Sequence, residues 1–305
     1  MPGNYTSNPI NPPSPPTHYH HVHPHPDPQI RRLHPLVTFF HADETLDIPS
    51  TLKHAKRMAE GGVAGLVLQG SNGEAPHLDH TERQTLVRSI RTHLNELGYK
   101  EIQLIVGCGA PSVRETLVHI TEAKESGADF ALVLPPSYWV AATNVAVIEG
   151  FLYDVATSSP LPILIYNFPG VTGGIDISSL ASSALSPTSF SAFGGKSDFF
   201  LSALVAGSHG IIAALANIVP KLHVQMLYLY KGGDLSGAQA LQAKLSHADW
   251  ALSKVGVAGV KAIISHHFGY GTGRGRRPLG NTTFEALSED ILAPIREMVE
   301  LEVKA

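Results

Sequence analysis

From Leu33 onward the chain alternates between two textures. Short apolar runs rich in β-branched residues are followed by longer segments whose apolar residues recur at helical spacing. The runs PLVTFF (35–40), VAGLVLQG (63–70), IQLIVGCG (102–109), FALVLPP (130–136), PILIYNFP (162–169), FSAFGG (190–195) and IIAALAN (211–217) predict strands. Residues 47–60, 79–97, 112–127 and 199–207 predict helices, the second opened by Asp79, and one more lies between 136 and 162. Continuous apolar strands alternating with helices predict a parallel sheet buried on both faces. After Pro220 the pattern is helical to the end.

The strands end in small or polar residues: QGSNGE, GCGAP, PPSYW, YNFPG, GGKSD and ALAN. In a (β/α)8 barrel these ends and the loops after them form the active face. A Rossmann sheet would want a glycine fingerprint after its first strand, and TFFHADET has none. The expected fold is therefore a (β/α)8 TIM barrel over residues 33–220, extended by a C-terminal helical bundle over 221–305. Seven strands are predicted where a closed barrel has eight, so the barrel reads as one βα unit short.

Composition narrows the partners. With 305 residues, 43% of them hydrophobic, the chain can bury a sizeable core. A net charge of −4 and the lack of a basic stripe argue against nucleic acid. No apolar run approaches the ~18 residues of a membrane span, and the N-terminus lacks the plan of a secretory signal. Cys108 is the single cysteine, so no intrachain disulfide or cysteine metal cluster is available and the cytosol is the expected compartment. Residues 1–32 are Pro- and His-rich and read as a solvated arm, although His18, His20, His21, His23 and His25 could hold a metal weakly. His266 and His267 are adjacent rather than at ligand spacing, so no resident metal is expected.

Three polar groups at strand ends can do chemistry. Ser71 and Asn72 in GSNGEA enter a helix, and such a turn suits a carboxylate, though its glycines also suit a plain tight turn. Tyr138 and Tyr166 are phenols that either pass protons or simply pack. Lys196 is the strand-end lysine; a desolvated lysine there attacks a ketone and forms a Schiff base. Lys221 and Lys261 fall on C-terminal helices, where solvation or packing is expected. The other reading of Lys196 is a helix start, with Ser197 or Asp198 of KSD as N-cap.

Together these motifs resemble a known family. GSNGE looks like the G-[ST]-[TN]-G-E turn of the dihydrodipicolinate synthase/N-acetylneuraminate lyase family. YNFPGVTG is similar to its Y-N-x-P-x-x-T-G, and PPSYW sits where the family has P-P-Y-Y. AGSHGIIAALANIVP resembles the segment that closes the family barrel, and VGVAGVKAII…RGRRPL also fits. The resemblance implies a class I aldolase or lyase without a cofactor, acting on pyruvate or related 2-oxo acids with an aldehyde partner, as a homodimer or homotetramer. It implies that Tyr166 transfers the proton, that Ser71 and Tyr138 extend its relay, with Tyr138 offered to a neighbouring subunit, and that Ser71 and Asn72 hold the pyruvate carboxylate beside Ile212.

The sequence departs from that family twice. Val171 stands where synthases that take aspartate semialdehyde usually carry an arginine, which points to 4-hydroxy-2-oxo or 2-oxo-3-deoxy acids. AFGGKSDFFLSALVAGSHGIIAALAN aligns best with the family's later turn, so Lys196 comes one strand too late. One βα unit of about 30 residues is missing, and the usual lysine with it. Two readings stay open: Lys196 supplies the amine in a re-registered barrel, or the barrel keeps a 2-oxo-acid pocket without imine chemistry. Deleting residues 1–32 should leave the melting temperature unchanged, since that arm has no core pattern; a drop of more than a few degrees would contradict a free arm.

Overall fold

Side chains at the helix starts settle where the first four helices begin. In the computed structural model, residues 33–168, 170 and 191–305 are described; the arm, Pro169 and residues 171–190, Val171 among them, lie outside. Asp47 accepts from Ser50 N at 3.0 Å and opens α1 (Ile48–Glu60). Asp79 and Glu82 form a reciprocal capping box at α2 (His80–Glu96). Ser112 caps α3 (Val113–Glu125) and Asn144 caps α4 (Val145–Ser158).

Five parallel strands run in the order β1 (Leu33–Pro35), β2 (Gly65–Leu68), β3 (Gln103–Gly107), β4 (Phe130–Val133) and β5 (Ile163–Ile165). β6 (Phe193–Gly194) and β7 (Gly210–Ile211) pair with each other, also in parallel. The described strands thus number seven, in two sheets that meet the expected barrel order. Strand residues alternate. Leu33, Val67, Ile105, Phe130 and Leu132 fill the inside, while Leu66, Leu68, Leu104, Val106, Ala131 and Val133 face Met58, Ile90, Ile120 and Val155 of the helices. Gly65 makes room inside, since a Cβ there would sit 2.6 Å from Leu33 Cδ2.

After α5 (Phe200–Val205), the helices α6 (Pro220–Lys231), α7 (Leu235–Ser253), α8 (Gly256–Phe268) and α9 (Glu289–Lys304) complete the shell. Phe200, Ile211, Leu222, Leu245, Ile263 and Ile295 share one buried cluster with Val37 and Phe39. Among the described residues no helix is long and apolar enough to cross a membrane.

The predicted strand over 211–217 is cut short. Pairing stops at Ile211, and Ala214–Asn217 winds into a 3-10 turn. The turn aims the Asn217 amide at the free edge of β1, where Oδ1 accepts from Val37 N at 3.2 Å. Asn217 Nδ2 donates to Ala214 O, and His54 Nε2 donates to Asn217 Oδ1 at 2.9 Å. Arg57 Nε donates to the Tyr270 hydroxyl, which donates to His54 Nδ1. A side-chain relay thus joins the turn after β7 to β1 where strand pairing would otherwise do so.

That relay keeps His54 neutral: burial, and then the Arg57 charge, lower its pKa from 6.5 to about 3. Burial also lowers His223, from 6.5 to about 4. Between about pH 6.5 and pH 4 the unfolded chain therefore binds protons that the fold refuses, and stability falls as pH falls. Urea unfolding should show a slope approaching ~1.4 kcal/mol per pH unit for each histidine in that window. His223→Gln should flatten it by about half, and an unchanged slope would remove His223 from the account.

Candidate active site at the strand ends

The turn after β2 is built from backbone that few residues tolerate. Gln69 and Glu74 take left-handed φ values of 53° and 55°. Gly73 N and Ala75 N both donate to Gly70 O, and Glu74 N donates to Ser71 O. The N–H groups of Ser71 and Asn72 stand outside this hydrogen-bonded set. Thr38 Oγ1 donates to Gly73 O at 2.9 Å and holds the turn from β1's side. Gly107 admits β3 beside it, since a Cβ there would lie 1.8 Å from Gln69 O.

A buried ion pair fixes the end of this turn. The Glu74 and Lys261 side chains are both fully buried and bonded to each other. Lys261 Nζ also donates to Arg274 O at 2.8 Å and lies 4.7 Å from the Phe40 ring centroid. Arg276 N donates to the second Glu74 oxygen at 2.8 Å, and the Arg276 guanidinium grips Glu82 with two 2.6 Å bonds. Burial lowers the Lys261 pKa while Glu74 opposes that shift. Lys261 is thus committed to Glu74, as expected of a packed lysine.

Tyr166 emerges from β5 beside the turn. Its N donates to Val133 O at 2.9 Å, and its ring packs on the interior cluster that includes Phe193 and Ile212. The Ser71 side chain lies close enough to act on its phenol. Burial raises its pKa, with Ser71 pulling the other way, so the phenol holds its proton at neutral pH. Ser71, Tyr166 and Ile212 thus come together at one mouth, with Asn72 next in the turn. Tyr138 is not among them. It is 76% exposed and stands edge-on to Trp139 at 5.1 Å.

Lys196 is exposed and extended, with φ −145° and ψ 146°. A Cβ on Gly194 would face Phe199 and Ala203, outside the sheet. Alternation then turns Gly195 inward and Lys196 outward, where its charge acts on Asp249 of α7. The same helix pins the turn: Gln242 Nε2 donates to Ser197 O and Asp198 O. Neither Ser197 nor Asp198 caps a helix. The Ser197 hydroxyl is instead buried against His223 Nε2 at 2.9 Å, because a fully buried imidazole needs a donor there. Burial, with Asp198 nearby, raises the pKa of Asp249. His266 is stacked on Phe284 at 3.5 Å.

The residues missed in the sequence are Thr38 and Glu74, the buried partner of Lys261. The signal was a lone lysine in the apolar helical stretch GVAGVKAII, which calls for a buried anion.

A model of the dihydrodipicolinate synthetase family matches residues 29–186 and 176–290, two stretches that meet between β5 and β6. An Emericella nidulans protein named "probable 4-hydroxy-2-oxoglutarate aldolase, mitochondrial" is 40% identical over 269 residues, covering 80% of this chain and 87% of its own. An L-threo-3-deoxy-hexylosonate aldolase of Hypocrea jecorina is 39% identical over 302 residues, covering 88% and 95%. A crystal structure of a dihydrodipicolinate synthase family protein from Coccidioides immitis superposes with a TM-score of 0.79 at 32% identity, over 91% of this chain and 99% of that one. The Hypocrea match spans 302 positions but uses 88% of the 305 residues here, about 268, leaving about 34 without a counterpart, the size of one βα unit. The Emericella match leaves about 25 by the same reckoning.

Lys261→Met should strand the Glu74 carboxylate in the core and cost ~3–5 kcal/mol in urea unfolding. Adding Glu74→Gln to Lys261→Met should restore more than half of that loss; no restoration would mean that the pair itself is not what Lys261 supplies.

Proposed function

The chain belongs to the dihydrodipicolinate synthetase family, and on that footing we propose that it is a carbon–carbon lyase that makes or breaks the bond beside a 2-oxo acid. The observation that carries the reading is the Tyr166 phenol standing beside Ser71 of the Ser71–Asn72 turn. The substrate carboxylate docks on the Ser71 and Asn72 N–H groups. Ile212 and Phe193 give the pocket an apolar wall. Tyr166, protonated at neutral pH, delivers and recovers the proton as the bond is cleaved or formed, with Ser71 as its next station.

For the substrate we propose 4-hydroxy-2-oxoglutarate or a 2-oxo-3-deoxy sugar acid, giving pyruvate and an aldehyde. The names of the Emericella and Hypocrea relatives support this class, and Val171 fits it. Lys196 is the proposed amine. It reaches the pocket only if β6 moves across to pair with β5, which would turn its face relative to Tyr166. A second reading is favoured by the outward-facing Lys196 and by the relatives' excess of about one βα unit. In that reading the pocket binds a 2-oxo acid and forms no imine. We further propose a homodimer or homotetramer in which Tyr138 reaches a neighbouring subunit. The single cysteine supports the cytosol as compartment, while the Emericella relative is named mitochondrial.

Incubation with pyruvate and borohydride should add a covalent mass that maps to Lys196. Pyruvate that binds without trapping selects the second reading, and no pyruvate binding at all overturns both. Tyr166→Phe should abolish turnover and spare pyruvate binding, because only the proton-carrying oxygen is lost. Wild-type kcat in that variant would end the relay assignment.

A further inference from the structure

Away from the barrel mouth, two neighbouring helices place four metal-ligand side chains at one point. Glu115, His119 and Glu122 stand at positions i, i+4 and i+7 of α3, so they form one stripe along its face. His80 is the first residue of α2, and the Asp79–Glu82 capping box beneath it fixes its backbone. The donor atoms of His80, Glu115 and His119 all lie within 4.8 Å of one another. His80 Nε2 is 2.9 Å and His119 Nε2 is 3.6 Å from the same Glu115 oxygen. Ligands about 2.0–2.1 Å from a tetrahedral zinc lie roughly 3.3 Å apart, so these atoms already stand at ligand-to-ligand distance.

We propose that His80, Glu115 and His119 form a binding site for a divalent transition metal of the zinc type, with Glu122 as the outer carboxylate that orients His80. Glu122 is placed for that part: its oxygens lie 2.8 and 3.0 Å from His80 Nδ1, which leaves Nε2 to face Glu115 and the metal. The ring of His119 has a side-chain exposure of 13%, against 46% for His80, so one ligand is built into the protein and the other is open to an arriving ion. Two imidazoles and a carboxylate select zinc, cobalt or nickel over magnesium or calcium, which take oxygen ligands. Two glutamates supply negative charge, and the nearby Arg83 guanidinium is turned inward to the Ala75 and Gly107 carbonyls. The site has one open position for water, as three protein ligands leave in a tetrahedral sphere.

A bound ion would rivet α2 to α3. Arg83, three residues along α2 from His80, holds the carbonyl of Ala75 that ends the GSNGEA turn. The clasp therefore lies behind the candidate active site without entering it.

The test uses the full chain with His18, His20, His21, His23 and His25 replaced by alanine, which removes the competing donors of the arm. Titration with Zn²⁺ should give one equivalent bound and a raised melting temperature, and Mg²⁺ should do neither. Co²⁺ should give the visible absorption of a tetrahedral nitrogen–oxygen site. His119→Ala should weaken Zn²⁺ binding by more than about 100-fold, and Glu122→Gln by about 10–100-fold, the range for loss of an outer-sphere partner. If the arm-replaced chain with His80, Glu115 and His119 intact binds no Zn²⁺ at micromolar concentration, the proposal fails. It fails equally if His119→Ala, folded by circular dichroism, binds Zn²⁺ as tightly as its parent. In either case the cluster is an ion-pair network between His80 and its two glutamates.

Discussion

The buried bond between Glu74 and Lys261 is the constraint on which the candidate site rests. A carboxylate and an ammonium, both without water, survive in a core only when each satisfies the other and further hydrogen bonds take up what is left. Here Arg274 O takes Lys261's second proton, and Arg276 N takes Glu74's second oxygen. The pair locks a left-handed residue at the end of the Ser71–Asn72 turn. The turn then presents the Ser71 and Asn72 N–H groups, which stand outside its own hydrogen bonds among the described residues, and the Ser71 side chain beside Tyr166. The C-terminal helices are part of the site's architecture for this reason, although none of their side chains is assigned to the chemistry.

A second constraint lies at the other seam. The ring of strands is joined through side chains where the turn after β7 meets β1, with Asn217 as the hub between Val37 and His54. The backbone of the turn after β6, by contrast, is held from the outside by Gln242 and Ser246 of α7. Those contacts fix the direction of Lys196. Moving that lysine inward would mean breaking the bonds to Ser197 O and Asp198 O as well as turning the strand. The proposed role of Lys196 as an amine therefore turns on how firmly α7 anchors the turn after β6.

Local signals were legible. Asp79 announced the start of α2, and continuous apolar runs announced parallel strands between helices. The small residues at strand ends marked the candidate face, and the resemblance had already grouped Tyr166 with Ser71 and Ile212 there. Long-range pairs left no such trace. Ser197 reads as an N-cap until His223, 26 residues on, claims its hydroxyl. The run over 211–217 reads as a strand until Asn217 turns to meet Val37. Lys196 has one face or the other depending on where Gly194 points, and only packing against Phe199 and Ala203 decides that. The proposed metal site left no trace in the sequence for the same reason, since His80 and Glu115 meet across two helices 35 residues apart.

The bond from Val37 to Asn217 also sets a schedule for synthesis. Its partners are 180 residues apart, so at ~5–20 residues per second β1 leaves the ribosome ~10–40 s before the side chain that covers its edge. For that interval an apolar strand with unpaired N–H and C=O groups is on offer to any other strand nearby. The chain is most exposed to chaperones, and to its own sister copies, before its last third has been made. Any ribosome pause before residue 217 would prolong that exposure.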